Sequence, residues 1–293
     1  MNHRERVMAA IRHQEPDRIP VDLGGMRSTG IMALAYASLK QHLGVNEGDI
    51  YVFDTMQQLA FVEEPVRQTF GCDVVILDHG LLAGWRGYAL PDGTRARSRA
   101  DFRTEHDRVG GEYALDGSGR RVWRRPATSL YFDPIYFPLA DATSEADLDR
   151  TDWPVLTDET LTRLQSEARR LFEETDYAIL GTFGGAFLEG GQFLRGWANF
   201  MMDLAGSRGF AEALLDRLLE NHLRNVGLYL DAVGDVIQII QMGGDLGTQS
   251  APQIRLQMYY DVIQPRQKAL WSRIHELAPD VPCSSTPAAV SMS

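Results

Sequence analysis

The stretch "DYAILGTFGGAFLEGGQFLRGWANFMMDL" at residues 176–204 decides the fold. A short apolar run, "DYAILGT", leads into glycines, and a helical pattern follows through "GQFLRGWANFMMDL". Strand, turn and helix in that order are the repeating unit of an α/β protein. The glycines invite a dinucleotide reading, which fails because Phe183 stands where the second Gly of G-x-G-x-x-G must let a pyrophosphate approach. Two readings of the turn stay open: a ligand-facing loop at the C-terminal end of a strand, or a plain βα connection.

The same alternation recurs on both sides. Toward the N-terminus, "RERVMAAIRHQEPDRIPVDLGG" predicts a helix stopping near Glu15-Pro16, then an apolar strand from Ile19 to Leu23. Ser28 and Thr29 can cap a helix in which Ile31, Leu34, Ala35, Leu39 and Leu43 form one stripe before Gly44 ends it. A third helix is expected from Thr55 to Phe70, with "CDVVIL" after it as a short buried strand. Between about Trp85 and Pro126, Asp-Gly turns in "LPDGTRARSRADF" and "YALDGSGRRVWRR" predict two inserted hairpins.

Toward the C-terminus, Leu215, Leu219, Leu223, Val226, Leu230 and Val233 share a face of one long helix. A strand at "DVIQIIQ", a helix at "MYYDVIQPRQKALWSRIHEL" and a turn at Pro279 and Asp280 follow, and the next element should be a strand. A parallel series of this kind points to a (β/α)8 TIM barrel, one domain over residues 1–281 with a β-hairpin insertion at about 85–126. The hairpins use so much chain that the barrel is expected to be incomplete at the C-terminus.

Of the 293 residues, 44% are hydrophobic and 24% charged, the range of an ordinary globular protein. A net charge of -11 argues against nucleic acid, because phosphate contact needs a basic face that releases counterions. Cys72 and Cys283 are far apart and lack metal-type spacing, so a disulfide framework is excluded and a reducing compartment expected. "NHRERVMAAIRH" has no signal-peptide core, and no run approaches the roughly 18–20 apolar residues of a membrane span. A cytoplasmic enzyme with no membrane partner is the expectation.

Candidate chemistry gathers after the strands. In "QMGGDLGTQ" glycines surround Asp245, a carboxylate able to accept a hydrogen bond or a proton, with Gln249 ahead of a helix; helix capping is the alternative. Asp54, in "YVFDTMQQLAF", is equally a cap or a functional carboxylate. Arg27, beside the first glycine pair, can clamp a carboxylate or phosphate bidentately. Arg95, Arg97 and Arg99 recur at period two and so share one hairpin face, which more often meets solvent than an anionic partner. No spacing within the chain marks a metal site, and no G-x-S-x-G nucleophile elbow is present.

Four stretches together, "RERVMAAIRHQEPDRIPVDLGG", "FDTMQQLAFVEEPVRQTFGCDVVIL", "LEGGQFLRGWANFMMDL" and "GGDLGTQSAPQIRLQMYYDVIQPRQKALW", resemble the uroporphyrinogen decarboxylase-like family, in order as well as in motif. That family includes the methylcobalamin:thiol methyltransferases, and the likeness runs to about Leu277. It implies a (β/α)8 barrel with its site at the strand ends, near Arg27, Asp54, Glu189, Gln192, Arg195 and Asp245. Arg27 or Arg195 would then hold an anionic group, and Asp245 would orient the substrate.

True decarboxylases carry an M-R-Q-A-G-R segment, of which "LGGMRSTGI" keeps only Arg27. They also carry F-S-D-I-L with a catalytic Asp, where this chain has Gly80, and Asp78 two residues earlier is expected to point elsewhere. The resemblance therefore favours the methyltransferase branch, which moves a methyl group between a corrinoid carrier and a thiol held by zinc. The partner would be a corrinoid protein or a small thiol. Decarboxylation of a tetrapyrrole is the alternative, and an inactive remnant or corrinoid-binding module the third reading.

The tail, residues 282–293, lacks any cap or apolar rhythm. Back-translating "VPCSSTPAAVS" with serines as TCN and reading one base earlier permits P-V-L-L-H-S-C-G, a strand ending in the H-x-C type of zinc ligands. An out-of-frame end near Val281 is one expectation, with zinc and corrinoid belonging to the intact parent. A natural structureless tail is the other.

Overall fold

A computed structural model describes residues 1–285, and they form a mixed α/β architecture divided into two compact units. The first unit comprises residues 1–135 and 166–181, and among the described residues the second comprises 136–165 and 182–285.

The first unit opens with α1 (His3–Ile11), whose start is a reciprocal cap: the Asn2 side chain accepts the Glu5 N–H at 2.8 Å and Glu5 accepts that of Asn2 at 3.0 Å. Ile19 to Leu23, expected as a strand, joins no ladder, and Ile19 is 83% exposed. Asp73 explains this: its backbone N–H donates to the Val21 carbonyl while its side chain takes the Val21 N–H, so both backbone groups of Val21 are spent on one residue and not on a ladder. Asp73 has no exposed surface and gathers Arg6, Arg18 and His3 around it at 2.6–2.9 Å.

Next come β1 (Ile31–Met32), α2 (Ala33–Leu43), β2 (Tyr51–Asp54) and β3 (Leu59–Ala60), then α3 (Glu64–Phe70). Gly44 ends α2 at φ 70°, the left-handed value that favours glycine. The helix expected from Thr55 to Phe70 survives only as α3. Asp54 accepts the N–H groups of Met56 and Gln57, and Gln58 sits at φ 57°, which turns the chain into β3 instead. Pro65, at the start of α3, suits a fresh helix because its missing N–H is not needed there.

β4 (Val74–Leu77) follows, then β5 (Trp85–Ala89) and β6 (Arg95–Arg99), an antiparallel hairpin whose turn holds Gly93 at φ 87°. β6 also pairs in parallel with β2, giving the sheet order β1-β3-β2-β6-β5 over a core built on Tyr36, Val52, Val62 and Val66. The rest of the expected insertion, β7 (Arg103–His106), β8 (Glu112–Leu115), β9 (Arg121–Arg125) and β10 (Asp133–Pro134), is a separate antiparallel sheet.

Past α4 (Glu145–Asp149) and α5 (Asp158–Glu174), β11 (Ala178–Gly184) pairs its first four residues in parallel with β4. Both runs are buried and apolar, as parallel strands covered on two faces require.

In the second unit, α6 (Leu188–Arg195) and α7 (Trp197–Gly206) replace the single helix expected through "GQFLRGWANFMMDL". Gly196, at φ 85°, breaks it. A side chain at Gly191 would meet the buried Phe200 ring at 2.3 Å, so α6 and α7 approach closely only because that residue is glycine. The 26-residue α8 (Arg208–Val233) buries Leu214, Leu215, Val226, Leu230 and Val233, close to the expected stripe. β12 (Ile239–Met242) leads to α9 (Leu256–Met258), a π-turn over Tyr259–Ile263, and α10 (Gln264–Leu277). The π-turn lies just before Pro265, whose ring disturbs the preceding turn of helix. Arg266 fastens α10 to α8 through Asp216 at 2.7 Å. Cys283–Ser285, where the tail was expected to begin, forms β13 in parallel with β12; the remainder of the tail lies outside the described residues.

Candidate functional site

The first unit holds an arginine between two carboxylates. Arg27, on a short turn after the Gly24-Gly25 pair, places Nε 2.6 Å from Asp54 Oδ2 and Nη1 2.9 Å from Asp78 Oδ2. Asp54 ends β2 and is 8% exposed; Asp78 follows β4 and is 1% exposed. Burial works against the charge on Arg27, but the charges of Asp78 and Asp54 and its hydrogen bonds to them outweigh it and raise the guanidinium pKa. Asp54 is thus both a cap of the following turn and a partner of Arg27.

Asp78 corrects the expectation that it points elsewhere. It accepts the Gly80 N–H at 2.7 Å, starting a 3-10 turn over His79–Ala83, and turns its second oxygen to Arg27. Nearby, Asp22 accepts from the Gly25 N–H and the Thr29 hydroxyl, and burial raises its pKa against both bonds. Arg95, Arg97 and Arg99 line β6, where Arg97 pairs with Asp49 and Arg99 with Asp101, a solvent-facing arrangement.

The second unit brings Glu189 and Asp245 together. Glu189, in the first turn of α6, accepts the Asp245 N–H at 3.0 Å. Burial raises its pKa, the Asp245 N–H opposes the rise, and the Asp245 charge adds to it. The loop between them is glycine-lined: Gly184, Gly185 and Gly244 have φ of 91°, 71° and 129°, and the Gly243 N–H donates to the Gly184 carbonyl at 2.5 Å.

Gln192 donates to Gln253 Oε1 at 2.8 Å, and Gln253 in turn donates to the Asp245 carbonyl at 3.2 Å. Sequence reading missed Gln253, which lies past the "DLGTQ" motif in "SAPQIR". Gln249 is exposed. Arg195 is bound inward, by Asp203 at 2.7 Å and by the carbonyls of Leu139 and Ala140 at 2.7 and 2.5 Å. His222, also missed, donates from Nε2 to the Ala186 carbonyl at 3.3 Å between Phe183 and Phe187, and burial lowers its pKa.

Zinc does not fit the described residues. No group of three His, Cys, Asp or Glu among them could hold a metal ion. Burial pushes the thiols of Cys72 and Cys283 up. No described helix is long and apolar enough to cross a membrane.

Neither a family model nor a curated protein matches this sequence. Among solved structures the chain is similar to a methyltransferase from Methanosarcina mazei, with a TM-score of 0.51 and 14% identity over 99% of this chain and 70% of that one. The chain therefore shares a methyltransferase-like fold.

Proposed function

We propose that the chain is a methyltransferase acting between a corrinoid carrier and a thiol. The observation that carries the reading is that 99% of the chain is covered by its likeness to an archaeal methyltransferase. The motif resemblance points the same way, and extends the parallel strands β4, β11, β12 and β13 to part of a (β/α)8 barrel. In this reaction a carbon–sulfur bond forms as the methyl group leaves its carrier with no electron pair, and the thiol proton must go elsewhere. Glu189 is the acceptor in this reading: a carboxylate with a raised pKa is better matched to take a proton near neutral pH.

The test is anaerobic incubation of the purified chain with methylcobalamin and 2-mercaptoethanol, following loss of methylcobalamin absorbance. Thiol-dependent loss that slows in Glu189→Gln is expected; loss no faster than without protein overturns the proposal. The buried Asp78 beside Arg27 favours a second reading, decarboxylation of a tetrapyrrole, which predicts CO2 release from uroporphyrinogen instead.

A further inference from the structure

We propose that the first unit carries a binding site for an uncharged, ring-containing small molecule, apart from the Arg27 cluster. A groove of ≈ 600 Å³ opens beside the start of α3, within the range of about 300–1,000 Å³ usual for small-molecule sites. Its walls are Tyr51 of β2, Phe61 after β3 and Trp85 of β5; its floor is Ile76 of β4; Leu81 and Leu82 close one side. All but Ile76 are only partly buried. The Tyr51 and Trp85 rings meet edge-on at 4.9 Å, which leaves ring surface toward the groove.

The rim decides the charge of the occupant. Arg67 forks onto Glu64 at 3.0 and 3.2 Å and also donates to the Val62 carbonyl. Arg170 holds Glu167 through two bonds at 2.7 and 2.9 Å, and Glu63 is paired with Lys40. Each ion on the rim already has its counter-ion, so a charged ligand would lose water and gain no unpaired partner. A neutral flat ring loses little hydration and covers apolar surface that is now wet. The wall at Leu81 and Leu82 belongs to the turn that Asp78 caps, so an occupant would bear on the element holding Arg27's partner.

Titration of the full chain with N-phenyl-1-naphthylamine, a neutral dye that brightens in apolar surroundings, tests the site. Saturable one-site binding is expected, weakened by about tenfold or more in Trp85→Ala and in Leu82→Trp, which fills the groove with an apolar ring. The anionic analogue 8-anilinonaphthalene-1-sulfonate should bind about tenfold more weakly than the neutral dye. Leu82→Trp keeps the test decisive if Trp85→Ala does not fold. Non-saturable binding, equal affinity in the parent and in Leu82→Trp, or equal affinity for the two dyes overturns the proposal.

Discussion

Replacing Arg27 by methionine keeps an apolar stem but removes the cation between Asp54 and Asp78, whose side chains are 8% and 1% exposed. With the charge centres about 4 Å apart, each pair is worth about 4 kcal/mol at an effective dielectric of about 20, most of it offset by the loss of water around the ions. Removing one partner exposes that hidden cost, and leaving buried charge uncompensated typically destabilises by about 3–5 kcal/mol. The N–H groups of Met56, Gln57 and Gly80 still serve the two carboxylates, which places Arg27→Met at the lower end, about 3 kcal/mol. Urea unfolding at neutral pH, followed by circular dichroism, should show a lower midpoint with little change in slope. Adding Asp78→Asn to Arg27→Met should restore part of the loss, with a coupling of about 1 kcal/mol or more. A stability for Arg27→Met within about 0.5 kcal/mol of the parent would refute the reasoning, as would strict additivity in the double variant.

Asp73→Asn should cost about 3 kcal/mol at neutral pH, since it strands the cations around a fully buried group. Burial would raise the Asp73 pKa, but Arg18, the Val21 N–H, His3 and Arg6 outweigh it and hold it below the ordinary 3.8. The unfolded chain therefore takes up this proton first as pH falls: the stabilisation is full above the ordinary value and is lost on passing down through the folded one. Melting from pH 7 to pH 3 should show a flatter profile for the variant, and parallel curves would contradict this. Gly191→Ala pushes a methyl group into Phe200 and should cost about 1–3 kcal/mol. Gly227→Ala, in the middle of α8 with open space around it, should gain about 1 kcal/mol. Thermal melts that move both variants in the same direction would show that local packing is not the deciding term.

The elements legible in the sequence are those whose pattern is local. β4, the apolar part of β11, and β12 are buried runs, and α8 carries its stripe for 26 residues, so no distant partner is needed to recognise them. Ile19 to Leu23 was misread because extended geometry needs a neighbouring strand to become a ladder, and both backbone groups of Val21 go to Asp73, a residue whose burial beside Arg6 and Arg18 no spacing announces. The Thr55 to Phe70 helix failed for the opposite reason: a helical apolar pattern was overruled by a side chain, Asp54, bonding two backbone N–H groups in a turn.

The same limit governs the candidate site. Arg27 was weak evidence alone because its partners lie at the ends of two different strands. Its place two residues before Gly80 says nothing of where Asp78 points, because its direction is set by the turn it caps. Arg195 was placed by motif as an anion clamp, yet the break at Gly196 returns Asp203 to it and the carbonyls of Leu139 and Ala140 take its other donors, so its ground-state work is to brace α6 against α7. Glu189 depends on a feature no spacing carries, the glycine-lined turn that brings the Asp245 N–H to its carboxylate while burial holds that carboxylate toward its protonated form. A proton-handling role is thus read from the desolvation of one oxygen pair, and the Glu189→Gln rate is the measurement on which that role stands or falls.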